Sequence, residues 1–341
     1  MLRALRLMLV AWLATLLGRL LDRRRHPRWP FGLELVVRYL RLDWDETASW
    51  DLTRLAADLE RRPFPRHFVK KVQREAITIG GVPATRFVPP TSRGAGRLLC
   101  LHGGSYIYGS SRSTHAEFFA RLAYETGVEA IGLDYRLAPE HPYPAQIEDA
   151  LSAFDALVAD GVPPERIVLV GDSAGGNLAL ALQIALRNRG GAQAGAAVLS
   201  SPWSDLEMPG ASFAENEPID FGTRAVLVTH ARTFAGDVPL SDPRISPTHA
   251  DLKGLAPCLV TVGECELPRD DILTLAQRLR DAGVEVTQHV APDMPHNAPF
   301  LATLHPAAQA AHDTIVSYVC AWLAPVRAVA RTEDSGGARS A

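Results

Sequence analysis

The chain has 341 residues, of which 47% are hydrophobic and 21% charged, with a formal net charge of −3 and a mean hydropathy close to zero. It can bury a substantial core as one large domain, although its length alone would also allow two. The basic excess is confined to the first 74 residues and comes without a base-reading motif, which excludes nucleic acid as a partner. Cys100, Cys258, Cys265 and Cys320 show no C-x-x-C spacing, so they read as buried thiols rather than metal ligands or disulfides. That usage fits a reducing, cytoplasmic compartment.

Residues 1–74 carry a net +8 and the remainder −11. Within the leader, Arg3 and Arg6 precede an uncharged run from Leu7 to Gly18, and Arg19, Arg23, Arg24 and Arg25 follow it. The run is too short for a spanning helix, which needs about twenty residues. It has neither the cleavage pattern nor the charge order of a signal peptide. We read it as a helix packed on the protein as part of a lid, in preference to an interfacial helix on anionic lipid through residues 1–25.

From Ala76 onward, strand-like and helix-like segments alternate, the pattern of a mostly parallel sheet covered on both faces. Strands are predicted at Glu75–Ile79, Thr85–Val88, Arg97–Leu101, Glu129–Leu133, Ile167–Val170, Ala196–Ser200, Cys258–Val262 and Glu285–Val290. Helices are predicted at His115–Glu125, Gln146–Ala159, Gly175–Arg187, Asp271–Asp281 and Pro306–Leu323.

Two of these junctions carry chemistry. The strand ending at Leu101 runs into His102-Gly103-Gly104-Ser105, where glycines let backbone N–H groups approach a substrate carbonyl. The strand ending at Val170 runs into Gly171-Asp172-Ser173-Ala174-Gly175 and then a helix. A serine on a sharp strand-to-helix turn projects from the sheet as a nucleophile, and only small neighbours let that turn close. The order of the two motifs assigns the oxyanion hole to the amides of Gly103, Gly104 and Ala174. A triad acid and histidine must then follow on loops after later strands. Glu264, Glu266, Asp270 and Asp271 follow the strand at Cys258–Val262, and His296 follows the last strand; His289 lies inside that strand and reads as a sheet residue.

In combination, His102-Gly103-Gly104-Ser105, the run Asp134-Tyr135-Arg136-Leu137-Ala138-Pro139-Glu140-His141-Pro142-Tyr143-Pro144-Ala145, and Gly171-Asp172-Ser173-Ala174-Gly175-Gly176 resemble the hormone-sensitive-lipase-like branch of the α/β-hydrolase esterases from about Arg74 to about Leu323. Ser105 departs from the third glycine of many relatives, which leaves the hole intact and alters the pocket floor. The resemblance places the triad carboxylate four residues ahead of the aspartate that opens the next helix. Glu266 and Asp270 match that spacing, so Glu266 is the expected acid, while Asp270 and Asp271 read as helix-capping residues.

The resemblance also implies an eight-stranded, mostly parallel sheet with helices on both faces and a helical cap. Residues 1–72 then form a leader and cap segment, 73–202 and 253–326 the catalytic core, 203–252 the cap insertion, and 327–341 a disordered tail. Tyr106, Tyr108 and Trp203 are expected to line the substrate pocket, with aromatic residues of the leader (Trp44, Trp50, Phe64, Phe68) and of the insertion (Phe213, Phe221, Phe234) divided between pocket and core.

The expected activity is a serine carboxylesterase with no cofactor and no metal. It would act through an acyl-enzyme on short to medium acyl esters as small-molecule substrates. Lactone or amide hydrolysis by the same triad is the alternative, as is a non-catalytic ligand-binding receptor on the same fold; His296, lost in such receptors, argues against the last. Peripheral membrane contact and a homodimer are left open.

Overall fold

Runs of apolar and β-branched residues become strands wherever both faces are covered, and the computed structural model, which describes residues 2–92, 94 and 96–324, contains eight of them. They are β1 (Gln73–Ile79), β2 (Val82–Val88), β3 (Arg97–Leu101), β4 (Glu129–Leu133), β5 (Ile167–Asp172), β6 (Ala196–Ser200), β7 (Cys258–Gly263) and β8 (Val286–Ala291). The order across the sheet is β1-β2-β4-β3-β5-β6-β7-β8. β2 is antiparallel to both β1 and β4, and β3 to β8 are parallel. The predicted tail at 327–341 lies outside the described residues.

The parallel strands alternate between two cores with the period of two that a pleated backbone imposes. Leu99 and Leu101 on β3 and Leu169 on β5 face a layer closed by α5 (Ala145–Ala159), α6 (Ala174–Asn188) and α9 (Arg269–Asp281). Leu98, Cys100, Val168 and Val170 face the opposite layer, closed by α4 (Ala116–Thr126) and α10 (Pro306–Trp322). The chain leaves β3 toward β4 on one side and returns to β5 on the other, with Leu101 beside Gly171 in register. This reversal of winding opens a crevice at the carboxyl ends of β3 and β5, where both motifs lie.

Three helices precede the sheet: α1 (Leu2–Leu20), α2 (Phe31–Thr47) and α3 (Leu52–Glu60). A third apolar cluster fastens α2 to the core, joining Trp29, Leu33 and Val37 to Met294, Ala298, Leu301 and Ala308. The Trp29 indole N–H donates to the Asp293 carbonyl at 2.6 Å. Between β6 and β7 the insertion adds α7 (Ser212–Glu215) and α8 (Arg224–Ala235).

Candidate active site

Ser173 sits between β5 and α6 with φ 52° and ψ −119°, a left-handed conformation that a non-glycine residue adopts only under constraint. The constraint is close packing on both sides. A Cβ on Gly175 would lie 2.0 Å from the Leu101 carbonyl oxygen, so β3 can run this near the elbow only because that residue is glycine. The Ser173 N–H donates to Ser200 O at 2.9 Å and its carbonyl accepts from Trp203 N–H at 2.9 Å, which ties the turn to β6 and to the start of the insertion. The hydroxyl projects into a cavity of about 390 Å³.

His296, from the loop after β8, lines the same cavity. Its Nδ1 lies 2.6 Å from Glu266 Oε2, and the other carboxylate oxygen of Glu266 accepts the Gly263 N–H at 2.7 Å. Glu266 is fully buried, and burial raises its pKa, opposed by the hydrogen bond from His296. For His296, burial works to lower the pKa; the hydrogen bond and charge of Glu266, with Asp220 and Asp172 beyond, outweigh it and hold the imidazole above its ordinary value. Asp270 opens α9 instead, accepting the Ser212 N–H at 2.9 Å and pairing with Arg269. His289 lies in β8, its Nδ1 3.2 Å from Thr314 Oγ1.

The oxyanion loop differs from expectation at one donor. The Gly103 N–H is already engaged, 3.0 Å from Asp172 Oδ1 and 3.1 Å from His115 Nε2, so it cannot also serve an oxyanion. The next two residues face the cavity: Gly104, at φ +119° with no room for a Cβ against Tyr108 O, and Ser105, also in the left-handed region at φ 54°. Asp172, the central acid of the serine motif, is itself buried. Burial favours its neutral form, yet His115, the Gly103 N–H and His102 together depress its pKa. Its Oδ2 also accepts from Asn297 Nδ2 at 2.9 Å, so one carboxylate joins the oxyanion loop, the serine elbow and the histidine loop.

Asp220 plays a similar part from the insertion. It accepts the N–H groups of Leu267 at 2.9 Å and His296 at 3.2 Å, holding together the two loops that carry Glu266 and the histidine. The leader reaches this point too: the Arg25 guanidinium donates to the carbonyls of Ile219 and Asp220. Asp172 is visible in the sequence as the second residue of the serine motif. Asp220 carries no local signal, because the Leu267 and His296 amides that it joins lie on chain segments far from it.

Two of the three expected pocket residues, Tyr108 and Trp203, line the cavity, whereas Tyr106 does not. Tyr106 turns into the core, its ring stacked on Phe234 at 3.8 Å between centroids and its hydroxyl donating to Asn177 Oδ1 at 2.8 Å. Asn177 in turn binds the Trp203 and Ile245 carbonyls, so burying the phenol satisfies its one donor. Trp44, Trp50, Phe64 and Phe221 reach the cavity; Phe213 and Phe234 are core, and Phe68 packs on Tyr124.

The lid reading of residues 1–25 also needs correction. Among the described residues, none before Leu40 lines the cavity; the covering wall comes from the end of α2, from α3 and from α8, while α1 packs against α2. Among the described residues, Asp205, Glu207 and His249 form the single cluster whose ligand atoms approach closely enough for a cation. None of the three lines the cavity.

A family model described as alpha/beta hydrolase fold matches residues 98–300. An acetyl-hydrolase of Streptomyces hygroscopicus is 38% identical over 272 residues, covering 77% of this chain and 88% of that relative. Among solved structures, an esterase from the bacterial hormone-sensitive lipase family is 33% identical with a TM-score of 0.73, covering 95% of this chain and 99% of the other. A hormone-sensitive lipase from a metagenome library is 32% identical with a TM-score of 0.78, covering 84% and 97%.

Proposed function

Because the chain belongs to the hormone-sensitive-lipase-like branch of the α/β-hydrolase esterases and is a carboxylic ester hydrolase, we propose that Ser173, His296 and Glu266 are its catalytic triad. The observation that carries this reading is the 2.6 Å contact between Glu266 and His296 on the wall of the cavity that Ser173 enters. His296 takes the serine proton as the oxygen attacks the acyl carbon, while Glu266 selects the tautomer and stabilises the imidazolium. The developing oxyanion rests on the amides of Gly104, Ser105 and Ala174, the last at the positive end of α6. As the tetrahedral intermediate collapses, His296 gives the serine proton to the leaving oxygen, which departs as the alcohol and leaves an acyl-enzyme. His296 then activates water to release the acid.

The pocket favours short to medium acyl groups. Trp44, Tyr108, Phe221 and Leu227 supply apolar walls, and His230 joins them as a neutral ring, since burial lowers its pKa to about 4. A relative named acetyl-hydrolase supports the short end of that range. The test is Ser173→Ala assayed on p-nitrophenyl esters from acetate to laurate beside a lactone panel. We expect loss of hydrolysis with an unchanged melting temperature, and a wild-type optimum at or below medium chain length. Retained turnover in a folded Ser173→Ala protein would remove the nucleophile assignment, and a preference for lactones would move the substrate class.

A further inference from the structure

The first helix is built inside out. Its buried stripe is Leu7, Ala11 and Thr15, and the Thr15 hydroxyl is satisfied by the Ala11 carbonyl at 2.8 Å. Arg3 reaches inward to Asp43 and Glu46, and Arg19 to the fully buried Glu34. The outward side, which in a helix covering a soluble protein is polar, carries Leu5, Leu9, Trp12, Leu13, Leu17 and Leu20, between 43 and 72% exposed. Their spacing of three and four residues puts them on one continuous face. Among the described residues, only Tyr124, Val290 and Phe300 are large exposed hydrophobics outside residues 2–21. Such a face asks for a cover.

Charge and size indicate which cover. No acidic residue occurs before Asp22 in the sequence; Arg6 at one end of the face pairs with Glu46 of α2, and the exposed Arg23 and Arg24 follow the other end. No helix among the described residues is long and apolar enough to cross a membrane, so this one would lie in the surface plane. A second copy is a poor fit. Face-to-face pairing of one 19-residue helix, about 28 Å long, would bury roughly 400 Å² per partner, about half of what a stable dimer needs, and would set arginines against arginines.

We propose that α1 is an interfacial helix that seats this enzyme on an anionic membrane surface. The inference stands apart from the triad assignment. Its consequence is positional: Arg3 lies over the Trp50 ring at 4.7 Å and pairs with Asp43, and both residues line the cavity on their other side. Docking α1 therefore brings the covering wall of the pocket to the lipid, where apolar esters partition.

The experiment is cosedimentation of the full chain with vesicles of phosphatidylcholine alone or with about one-third phosphatidylglycerol. Wild type should pellet with the anionic vesicles and much less with the neutral ones. The triple variant Leu9→Gln, Trp12→Gln, Leu13→Gln should lower the bound fraction about tenfold or more, and Arg23→Gln with Arg24→Gln should lower it on anionic vesicles only. Both variants should keep wild-type activity on soluble p-nitrophenyl butyrate. Wild-type protein that stays in the supernatant with both vesicles overturns the proposal. So does a dimer, seen by light scattering, that the triple variant converts to monomer.

Discussion

Replacing Glu266 by Gln removes a charge from a fully buried position and leaves His296 Nδ1 facing an amide. The amide can offer its oxygen to Nδ1–H only by turning its NH₂ toward the Gly263 N–H, which the carboxylate now accepts at 2.7 Å; the alternative rotamer favours the wrong imidazole tautomer. With charge centres about 4 Å apart and an effective dielectric of about 20, the carboxylate stabilises the transition-state imidazolium by about 4 kcal/mol, or roughly a thousandfold in rate. Adding the tautomer cost, turnover should fall about 10³–10⁴-fold. The pH profile supplies an independent sign. Wild-type His296 titrates above its ordinary value, and activity requires the neutral ring, so kcat/KM falls as pH drops through that raised pKa. In Glu266→Gln the burial that lowers the pKa remains and the partner that raised it is gone, so the acid limb moves to lower pH. The measurement is kcat/KM for p-nitrophenyl butyrate from about pH 5 to pH 9, with Asp270→Asn as the comparison. Asp270 binds the Ser212 amide and Arg269 at the start of α9, and its loss should change turnover less than about tenfold. A larger loss in Asp270→Asn, or an acid limb that stays put in Glu266→Gln, refutes the reasoning.

Three further outcomes follow from groups around the site. Asp172→Asn must turn its NH₂ toward either the Asn297 NH₂ or the Gly103 N–H and so breaks one of the two contacts, so kcat should fall about a hundredfold with KM little changed; an equal loss through KM alone would mean that the carboxylate does not position the oxyanion donors. Asp271 is buried, and burial first, then Asp205, raises its pKa from 3.8 to about 7. A raised acid binds its proton more tightly in the folded state, so the contribution of Asp271 to stability is greatest below the unfolded pKa and declines as pH rises from about 4 to about 7, by at most about 4 kcal/mol. Asp271→Asn should flatten that decline in urea unfolding at acid and alkaline pH, and an unchanged slope would contradict it. Trp44→Ala removes an indole that lines the cavity and donates to Thr223 Oγ1 at 3.2 Å, so the ratio of octanoate to butyrate hydrolysis should rise about tenfold; a narrower range would place the acyl chain elsewhere.

The strand runs, the elbow around Ser173 and the loop positions of Glu266 and His296 were all legible in the sequence, because each depends on residues within a few places of one another. A β-branched run bounded by glycine is a strand whatever lies beside it, and small residues flanking a serine permit the same turn in any chain that folds this way. The tertiary structure decided where hydrogen bonds and side chains go once distant elements meet. Gly103 gives its N–H to Asp172, 69 residues away, and so leaves the set of oxyanion donors. Tyr106 turns inward because Asn177 and Phe234 meet it there, although its neighbour Tyr108 faces the cavity. Asp220 holds the acid and histidine loops from an insertion with no pattern of its own. The first helix, an uncharged run flanked by arginines in the sequence, has its inward and outward sides decided only when Arg3 and Arg19 find Asp43 and Glu34 on α2. Periodicity reports which residues share a face; only packing determines what that face meets.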